Sequence, residues 1–298
     1  MNMLVEKFLK YIRYELNHSV HTVLSYSTDL TQFLDFLKVS EEEFSPATVT
    51  QEDVRAWVYE LTNRKMAVAS VRRKVQSLRT FYRWLQRASL VEVNPTEDIP
   101  MVKLPSRLPV FVREKSMDKL LDSSYDASDF EAVRDRLIIE MLYETGMRRA
   151  ELIDLKDTNV DVDSGEMKVL GKRNKERIIP FGNNLAEQIK SYRQMRSKVG
   201  PEVENFFITE KGRSMYPSLI YKVVTVSLST VTSSKRSPHV LRHTFASAML
   251  NNGAELNSVK ELLGHESLAA TQVYTHITYR ELKQNYKHAH PRALKKGG

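Results

Sequence analysis

A mainly helical protein of two domains is predicted by three features of the sequence. Apolar residues recur at helical spacing through most of residues 1–98. Prolines then interrupt the chain at Pro95, Pro100, Pro105 and Pro109, and proline cannot continue a helix. At 298 residues the chain is long enough for two cores. The predicted division is a helical domain at 1–98, an extended linker at 99–110 and a mostly helical domain at 111–298.

The first domain is predicted to hold four helices. For the first three, the sequence shows an apolar stripe or a residue that can cap the start of the helix. An apolar stripe runs from Leu4 to Ile12, and a second helix carries apolar residues from Val23 to Leu37. Either Ser19 or Thr22 is expected to cap this second helix, because a hydroxyl can accept from the first free amides. Thr50 is the expected cap of the third.

The fourth helix is expected between Arg64 and Arg87, a stretch with eight basic residues and no acidic one. A helix face in solvent usually mixes charges of both signs to form pairs. A face with positive charges alone is better suited to following a phosphate backbone. The predicted DNA-binding residues are therefore Arg64, Arg72, Arg79, Arg83 and Arg87, with Arg173 of the hairpin described below.

Composition limits the possible classes. Lys and Arg number 45 against 37 Asp and Glu, so the net charge of +8 fits a polyanionic partner without requiring one. The absence of cysteine excludes disulfides, thiolate metal sites and cysteine nucleophiles. No apolar run reaches 18 residues and the amino terminus lacks a signal-peptide core, so we expect a cytoplasmic protein without a membrane anchor.

The second domain is predicted to combine helices with a small antiparallel sheet. A buried helix through Leu137 and Leu142 should end at Gly146, after which Arg148 opens another helical segment. Strands are expected at 166–170 and 177–181 around the turn GKRNKE, with a further short strand at 205–209.

The stretch 238–277 is the most informative. A helix is predicted from Arg242 to Asn251, and a second helix should end at Gly264. His239 and Arg242 then lie at one helix entrance and His265 just beyond another helix exit. Polar side chains at such ends can converge on a ligand while the apolar faces form a core.

Several short patterns together resemble the tyrosine recombinases of the lambda-integrase type, and among them the bacterial Xer recombinases. They are His-x-x-Arg-His at 239–243, Leu-Leu-Gly-His at 262–265, Tyr-Thr-His at 274–276, ETGMRRAEL at 144–152 and LGKRNKER at 170–177. The resemblance implies a SAM-like, four-helix core-binding domain and the tyrosine recombinase catalytic fold. It also implies a C-terminal exchange helix, for which Tyr279, Leu282 and Tyr286 form an apolar stripe. Docking of this helix into a neighbouring subunit and folding back onto its own domain are both open.

Metal-free cleavage of a phosphodiester needs a nucleophile, positive charge around the phosphate and an acid for the leaving oxygen. The resemblance implies that Arg148 and Arg242 hold the phosphate while Glu151 braces the site. It assigns the nucleophile to Tyr274, the acid to Lys172, the proton acceptor or phosphate ligand to His239, and an orienting role to His265. From the residues alone, Lys175 competes with Lys172, and Tyr279 and Tyr286 compete with Tyr274.

No metal or cofactor is expected. His239 and His243 have the four-residue spacing of zinc ligands, but neither a following glutamate nor a cysteine completes a site. We therefore interpret His243 as a packing residue. A phosphotyrosyl ester retains the energy of the broken bond, so no nucleotide is needed either.

The resemblance implies a site-specific DNA recombinase that acts through a 3′-phosphotyrosyl intermediate. Its partner would be double-stranded DNA with inverted half-sites, bound by a dimer at each site. A synaptic tetramer would form from one chain or with a second recombinase. Resolution of chromosome or plasmid dimers is the expected role. The alternatives are an integrase or invertase of a mobile element, a type IB topoisomerase, and a non-catalytic DNA-binding protein.

Overall fold

Helices dominate the computed structural model, as the sequence predicts. The structure describes residues 2–40, 43–100, 110–171, 175–264 and 279–292. Contacts divide the chain into two units, Met1–Arg107 and Leu108–Gly298, with the division inside the predicted linker.

Four α-helices form the described part of the first unit. They are α1 (Met3–Lys10), α2 (Val20–Leu37), α3 (Gln51–Asn63) and α4 (Val68–Arg87). A π-helical turn at Tyr11–Glu15 extends α1, and a 3₁₀ turn at Pro46–Thr48 precedes α3. The four-helix prediction is confirmed.

Polar side chains fix where these helices begin. Ser19 Oγ accepts from the Thr22 amide at 3.2 Å, so Ser19 is the cap of α2. Thr50 and Asp53 form a reciprocal capping box at the start of α3. Each satisfies amides that have no partner within the helix.

Aromatic rings pack against one another within the core of the first unit. Phe8 packs edge-on against Phe81 with ring centroids 5.2 Å apart, and Phe33 packs against Trp57 at 4.9 Å. The predicted apolar face of α4 is buried throughout, and its members are Val71, Val75, Leu78, Tyr82 and Leu85.

A buried ion pair joins α2 to α4. Lys74 Nζ lies 2.9 Å from Asp29 Oδ1, and both side chains are almost fully buried. Arg73 also donates to Asp29, as does Ser77 Oγ at 2.6 Å. The positive charges of two basic residues of α4 are thus paired with an aspartate of α2. The sequence of α4 itself, which has no acidic residue, does not reveal this pairing.

Asp29→Ala should destabilise the protein by about 3 kcal/mol, because it leaves the Lys74 ammonium buried without its counter-charge. The measurement is the shift in the urea unfolding curve. Asp35→Ala, on the exposed face of the same helix, is the matched control and should change stability by less than about 0.5 kcal/mol. Equal effects of the two substitutions would contradict the role of the buried pair.

The second unit holds eight described α-helices and a three-stranded sheet. The helices are α5 (Glu114–Leu121), α6 (Phe130–Thr145), α7 (Arg149–Asp154), α8 (Asn183–Val199), α9 (Pro217–Ser229), α10 (Pro238–Asn251), α11 (Leu256–Leu263) and α12 (Tyr279–Ala289). The strands are β1 (Val160–Asp161), β2 (Glu166–Leu170) and β3 (Glu176–Pro180).

The sheet is antiparallel in the order β1-β2-β3, with Val169 opposite Arg177. It confirms the predicted hairpin, although β3 begins and ends one residue earlier than expected and β1 was not predicted. Met167 and Ile179 turn their side chains into the core. The sheet therefore packs both strands of the hairpin against the helices of this unit.

The strand expected at 205–209 is wrong, since only single bridges form at Asn205 and Ile208. Side chains of α8 form hydrogen bonds with backbone groups that a strand would use to pair with its neighbour. Arg196 donates to the Phe206 carbonyl at 3.0 Å, and the Tyr192 hydroxyl accepts from the Ile208 amide at 3.0 Å.

The ends of α6 and α10 place the residues discussed below. α6 is buried along nearly its whole length and ends at Gly146, whose φ of +59° is the left-handed cap that was predicted. α10 begins at Pro238 rather than Arg242, because proline is favoured in the first turn of a helix. His239 and Arg242 therefore both lie in the first turns of α10.

The helix α12 packs against its own unit in this structure. Tyr286 is fully buried and stacks on His290, and Asn285 Nδ2 donates to Ser258 Oγ at 2.9 Å. The other two residues of the predicted stripe, Tyr279 and Leu282, lie outside the described side chains.

Candidate active site

Three consecutive carbonyl groups at the end of α11 each accept a hydrogen bond from a different arginine. The pairs are Arg177 Nε to Leu262 O at 2.8 Å, Arg242 Nη2 to Leu263 O at 2.7 Å and Arg148 Nη2 to Gly264 O at 3.0 Å. Carbonyls at a helix C-terminus carry partial negative charge, which favours cations there. The structure thus brings Arg148 and Arg242, 94 residues apart in sequence, to one place.

Separate elements deliver these arginines. Arg148 lies in the turn between α6 and α7, two residues after the left-handed Gly146. Arg242 comes from the first turns of α10, and Arg177 from β3. Arg242 Nη1 also donates to the Gly146 carbonyl at 2.7 Å, so one guanidinium ties the end of α6 to the end of α11.

Glu151 is the carboxylate of this cluster and is shared by two arginines. Its oxygens accept from the Arg148 amide and guanidinium, both at 2.7 Å, and from Arg177 Nη1 and Nη2, both at 2.8 Å. Burial alone would raise the pKa of Glu151. The hydrogen bonds and charge of Arg177, followed by the hydrogen bonds of Arg148, outweigh burial and hold this pKa below its ordinary value.

Arg242 is a buried cation that forms no ion pair within the described part of the chain. Burial, followed by the positive charge of Arg148, lowers the pKa of Arg242 to about 10. The guanidinium is therefore still charged at neutral pH.

The charge of the cluster is unbalanced. Among the described residues, the cluster holds three guanidinium groups, of Arg148, Arg177 and Arg242, and one carboxylate, of Glu151. It therefore carries two positive charges in excess. Guanidinium groups bind phosphate oxygens through paired, charge-assisted hydrogen bonds. The arrangement suits a phosphate group that approaches from the exposed side of Arg148, whose side chain is 34% exposed.

His239 lies on the exposed side of α10, one turn before Arg242. Partial burial, followed by the charges of Arg149, His243 and Arg242, lowers the pKa of His239 below its ordinary value of 6.5. The imidazole is therefore neutral at neutral pH and can accept a proton.

His243 is exposed, so its interpretation as a packing residue is wrong. Leu241 and Phe245 form the buried face of α10. His243 lies two residues from each of them, which places it on the opposite side of the helix.

Four of the predicted site residues, Lys172, Arg173, His265 and Tyr274, lie outside the described residues and stay predictions. The glycines that precede two of them are described. Gly171 is held by a hydrogen bond from its amide to the Lys175 carbonyl at 2.8 Å. Lys175, the alternative to Lys172, is exposed.

The prediction that Arg64 begins the basic fourth helix is wrong, because Arg64 lies at the end of α3. It occupies the C-cap position of α3 and pairs with Glu60, one turn earlier. The break falls here because Lys65 takes a positive φ of +54°, which ends the helix before Val68 begins α4.

The other basic residues predicted to bind DNA differ in their exposure. Arg83 and Arg87 are exposed, and Arg72 is half-buried. Arg79 Nη2 donates to the Thr96 carbonyl at 3.0 Å and the Ile99 carbonyl at 2.9 Å, so it also holds the chain that follows α4. A role in DNA binding stays a prediction for all of them.

Arg177 is the cluster member that the sequence analysis did not identify as a site residue. A signal was present, because strand alternation puts residue 177 on the same face as the apolar Ile179. A charged residue on the buried face of a strand requires a partner. What that partner is depends on the tertiary fold.

Comparison with known proteins identifies the family. The model described as "Phage integrase family" matches residues 110–281, and "Phage integrase, N-terminal SAM-like domain" matches residues 5–89. The tyrosine recombinase XerC of Chlorobaculum tepidum is 37% identical, with 96% of this chain and 94% of that protein covered. XerC of Pediococcus pentosaceus is also 37% identical, over 97% of this chain and 98% of the relative.

A solved structure shows the same fold. The crystal structure of XerH site-specific recombinase bound to palindromic difH substrate, a post-cleavage complex, matches with a TM-score of 0.71. The two sequences are 21% identical over 97% of this chain and 82% of the other. In the described residues, no helix is both long and apolar enough to cross a membrane.

With both family models matched and the relatives aligned over nearly their whole length, the chain belongs to the phage integrase family, as a tyrosine-type site-specific DNA recombinase of the Xer kind.

Proposed function

We propose that the protein resolves chromosome or plasmid dimers by cleaving and rejoining DNA through Tyr274. The phenol oxygen attacks phosphorus, forms a 3′-phosphotyrosyl ester and displaces the 5′ oxygen of the next nucleotide. His239 accepts the phenol proton, and Lys172 protonates the leaving oxygen. His265 orients the phosphate or the nucleophile. Attack by the 5′ hydroxyl of a partner strand on the ester reverses these steps and joins the exchanged strands.

The observation that carries the proposal is the position of Arg148 and Arg242 at the end of α11. Both donate to the carbonyls from which the chain continues towards His265 and Tyr274. A phosphate held by these two guanidinium groups would meet preorganised positive charge. The excess charge of the cluster supports an anionic substrate rather than a purely structural ion pair.

The proposed assembly is a dimer on two inverted half-sites and a tetramer when two DNA sites meet. It forms from this chain alone or together with a second recombinase, in the cytoplasm with the chromosome. The near-complete alignment with proteins named XerC supports the role in dimer resolution over that of a mobile-element integrase.

The test is covalent capture of DNA. Genomic fragments are first footprinted to locate a binding site, and a nicked duplex of that site is then incubated with the protein. The nick lets the short 5′-hydroxyl fragment diffuse away, so the covalent adduct accumulates on a denaturing gel. Wild-type protein should give the adduct and Tyr274→Phe none, while Tyr279→Phe, the matched control, should still give it.

Two results would contradict the proposal. A wild-type protein that binds the site without forming an adduct would be a non-catalytic DNA-binding protein. Relaxation of plasmids that lack the site would instead indicate a topoisomerase. Recombination of two sites in one plasmid, followed by gel analysis, then distinguishes resolution from inversion.

At acidic pH, the cleavage rate should depend on the protonation state of His239. Because the pKa of His239 lies below 6.5, the imidazole is neutral at pH 7 and loses its acceptor only as the pH falls below that pKa. The single-turnover cleavage rate should therefore be level near pH 7 and fall about tenfold per unit in the acid range.

His239→Gln should cleave more slowly and lack this acid limb. His243→Gln is the control, because His243 is exposed on the same helix, and it should retain the wild-type profile. An unchanged profile in the His239 variant would assign the proton transfer to another group.

A further inference from the structure

Arg177 lies at the junction of the segments that carry the predicted site residues. A Cβ atom built on Gly171 would come within 3.5 Å of Arg177 Nη1, and one built on Gly264 within 3.2 Å of the same atom. The guanidinium is thus packed between two glycines. One directly precedes Lys172, and the other directly precedes His265.

All three nitrogens of Arg177 already donate within the protein. Nη1 and Nη2 form a forked pair with Glu151, and Nε donates to the Leu262 carbonyl. Only 11% of the side chain is exposed, compared with 34% for Arg148. Arg177 is therefore poorly placed to bind a phosphate directly, and its effect must act through its neighbours.

The most important neighbour is Glu151, which Arg177 shares with Arg148. Arg177 supplies two of the four hydrogen bonds that these arginines give to the carboxylate. Without Arg177, the whole charge of Glu151 would face Arg148 alone. A more strongly neutralised Arg148 would attract a phosphate less.

The second neighbour is the end of α11. Arg148 and Arg242 also hold this end, but both are the proposed phosphate ligands. When a phosphate draws their guanidinium groups, the bond from Arg177 to the Leu262 carbonyl still holds the end of α11 without competing with the substrate.

We propose that Arg177 is a positioning residue for strand cleavage. By sharing Glu151 it leaves the Arg148 guanidinium available to the phosphate. Through its contacts with Gly171, Leu262 and Gly264, it fixes where the chain leaves towards Lys172 on one side and towards His265 and Tyr274 on the other. The inference rests on the proposed function, because the roles of these residues are part of that proposal.

The experiment compares Arg177→Met with wild type in single-turnover cleavage of the nicked duplex, alongside equilibrium DNA binding. Cleavage should slow about a hundredfold, as is typical when a residue supporting a catalytic group is removed. The DNA dissociation constant should change less than about threefold, since all three nitrogens of Arg177 already donate within the protein. Lys168→Met is the control on the same hairpin, because among the described residues Lys168 pairs with the exposed Glu176 and not with the arginine cluster. It should cleave at the wild-type rate.

A second variant separates charge sharing from mere structural support. In the double variant Glu151→Gln with Arg177→Met, the unshared anion is absent, so Arg148 is again available. Its cleavage should recover about tenfold over Arg177→Met. A purely structural role predicts that losing both side chains is at least as harmful as losing one.

The outcomes separate this inference from the proposed function. If wild-type protein forms no adduct, the proposed function fails. If wild type cleaves but Arg177→Met cleaves within threefold of it, or the double variant shows no recovery, the inference alone is overturned. Should Arg177→Met fail to fold, Arg177→Lys replaces it. Lysine keeps the positive charge but cannot form the paired bonds to Glu151 while also donating to the Leu262 carbonyl. Slow cleavage by this variant with normal DNA binding would support the inference, and normal cleavage would refute it.

Discussion

Arg242→Ala should reduce the single-turnover cleavage rate by about a thousandfold while DNA binding changes little. An arginine that stabilises charge on a reacting phosphate contributes on the order of a thousandfold or more to the rate. Arg242 combines burial, charge at neutral pH and the absence of an ion pair in the described residues, so its charge is available to an anion. The measurement is adduct formation on the nicked duplex at saturating protein.

Loss of stability is the competing explanation, because Arg242 also donates to the Gly146 and Leu263 carbonyls. Arg196 provides a matched control. It is equally buried and donates to three carbonyls, of Val203, Asn205 and Phe206, but belongs to α8 and not to the cluster.

Arg196→Ala should therefore lower the unfolding midpoint without changing the cleavage rate of the folded protein. Arg242→Lys, which keeps the charge but loses the fork, should cleave at a rate between those of wild type and Arg242→Ala. The assignment of Arg242 to the phosphate would be wrong if Arg242→Ala cleaved within tenfold of wild type. It would also be wrong if the Arg196 variant lost as much activity per folded molecule.

The parts of this fold that the sequence predicted are those set by local pattern. Gly146 and Gly264 mark helix ends because glycine adopts the left-handed cap without steric cost, and both take positive φ. The apolar face of α4 follows from helical spacing. Its members, Val71, Val75, Leu78, Tyr82 and Leu85, are buried as expected. Each of these features depends on a few neighbouring residues.

The parts that were not predicted depend on partners distant in sequence. Lys74 is neutralised by Asp29 from another helix, and Arg177 meets Leu262, which is 85 residues away. Neither pairing leaves a periodic trace in the chain. At the site, Arg148 and Arg242 were identified through the resemblance of their motifs to a known family, whereas the sharing of Glu151 between two arginines required the tertiary structure.

Gly146→Ala should lower the free energy of unfolding by about 3 kcal/mol. The left-handed φ of +59° costs an L-residue about 1 kcal/mol or more. In addition, a Cβ atom would lie 2.8 Å from Leu263 Cδ2 and 2.9 Å from Phe245 Cγ, so the packed side chains must move. Overpacking of this kind adds about 1–3 kcal/mol.

Gly253→Ala is the control that isolates the packing effect. Its φ of +86° is also left-handed, but nothing lies within 4 Å of an added Cβ. It should cost only the backbone strain, about 1 kcal/mol, and leave cleavage intact. Urea unfolding followed by far-ultraviolet circular dichroism measures both.

The difference between the two variants is the energy of packing Gly146 against α10 and α11. Because Gly146 also accepts a hydrogen bond from Arg242 and precedes Arg148 by two residues, its displacement should slow cleavage even in the fraction that folds. Equal destabilisation of the two variants would mean that Phe245 and Leu263 move aside freely. The close approach of α6 to α11 would then not be what positions Arg148 and Arg242.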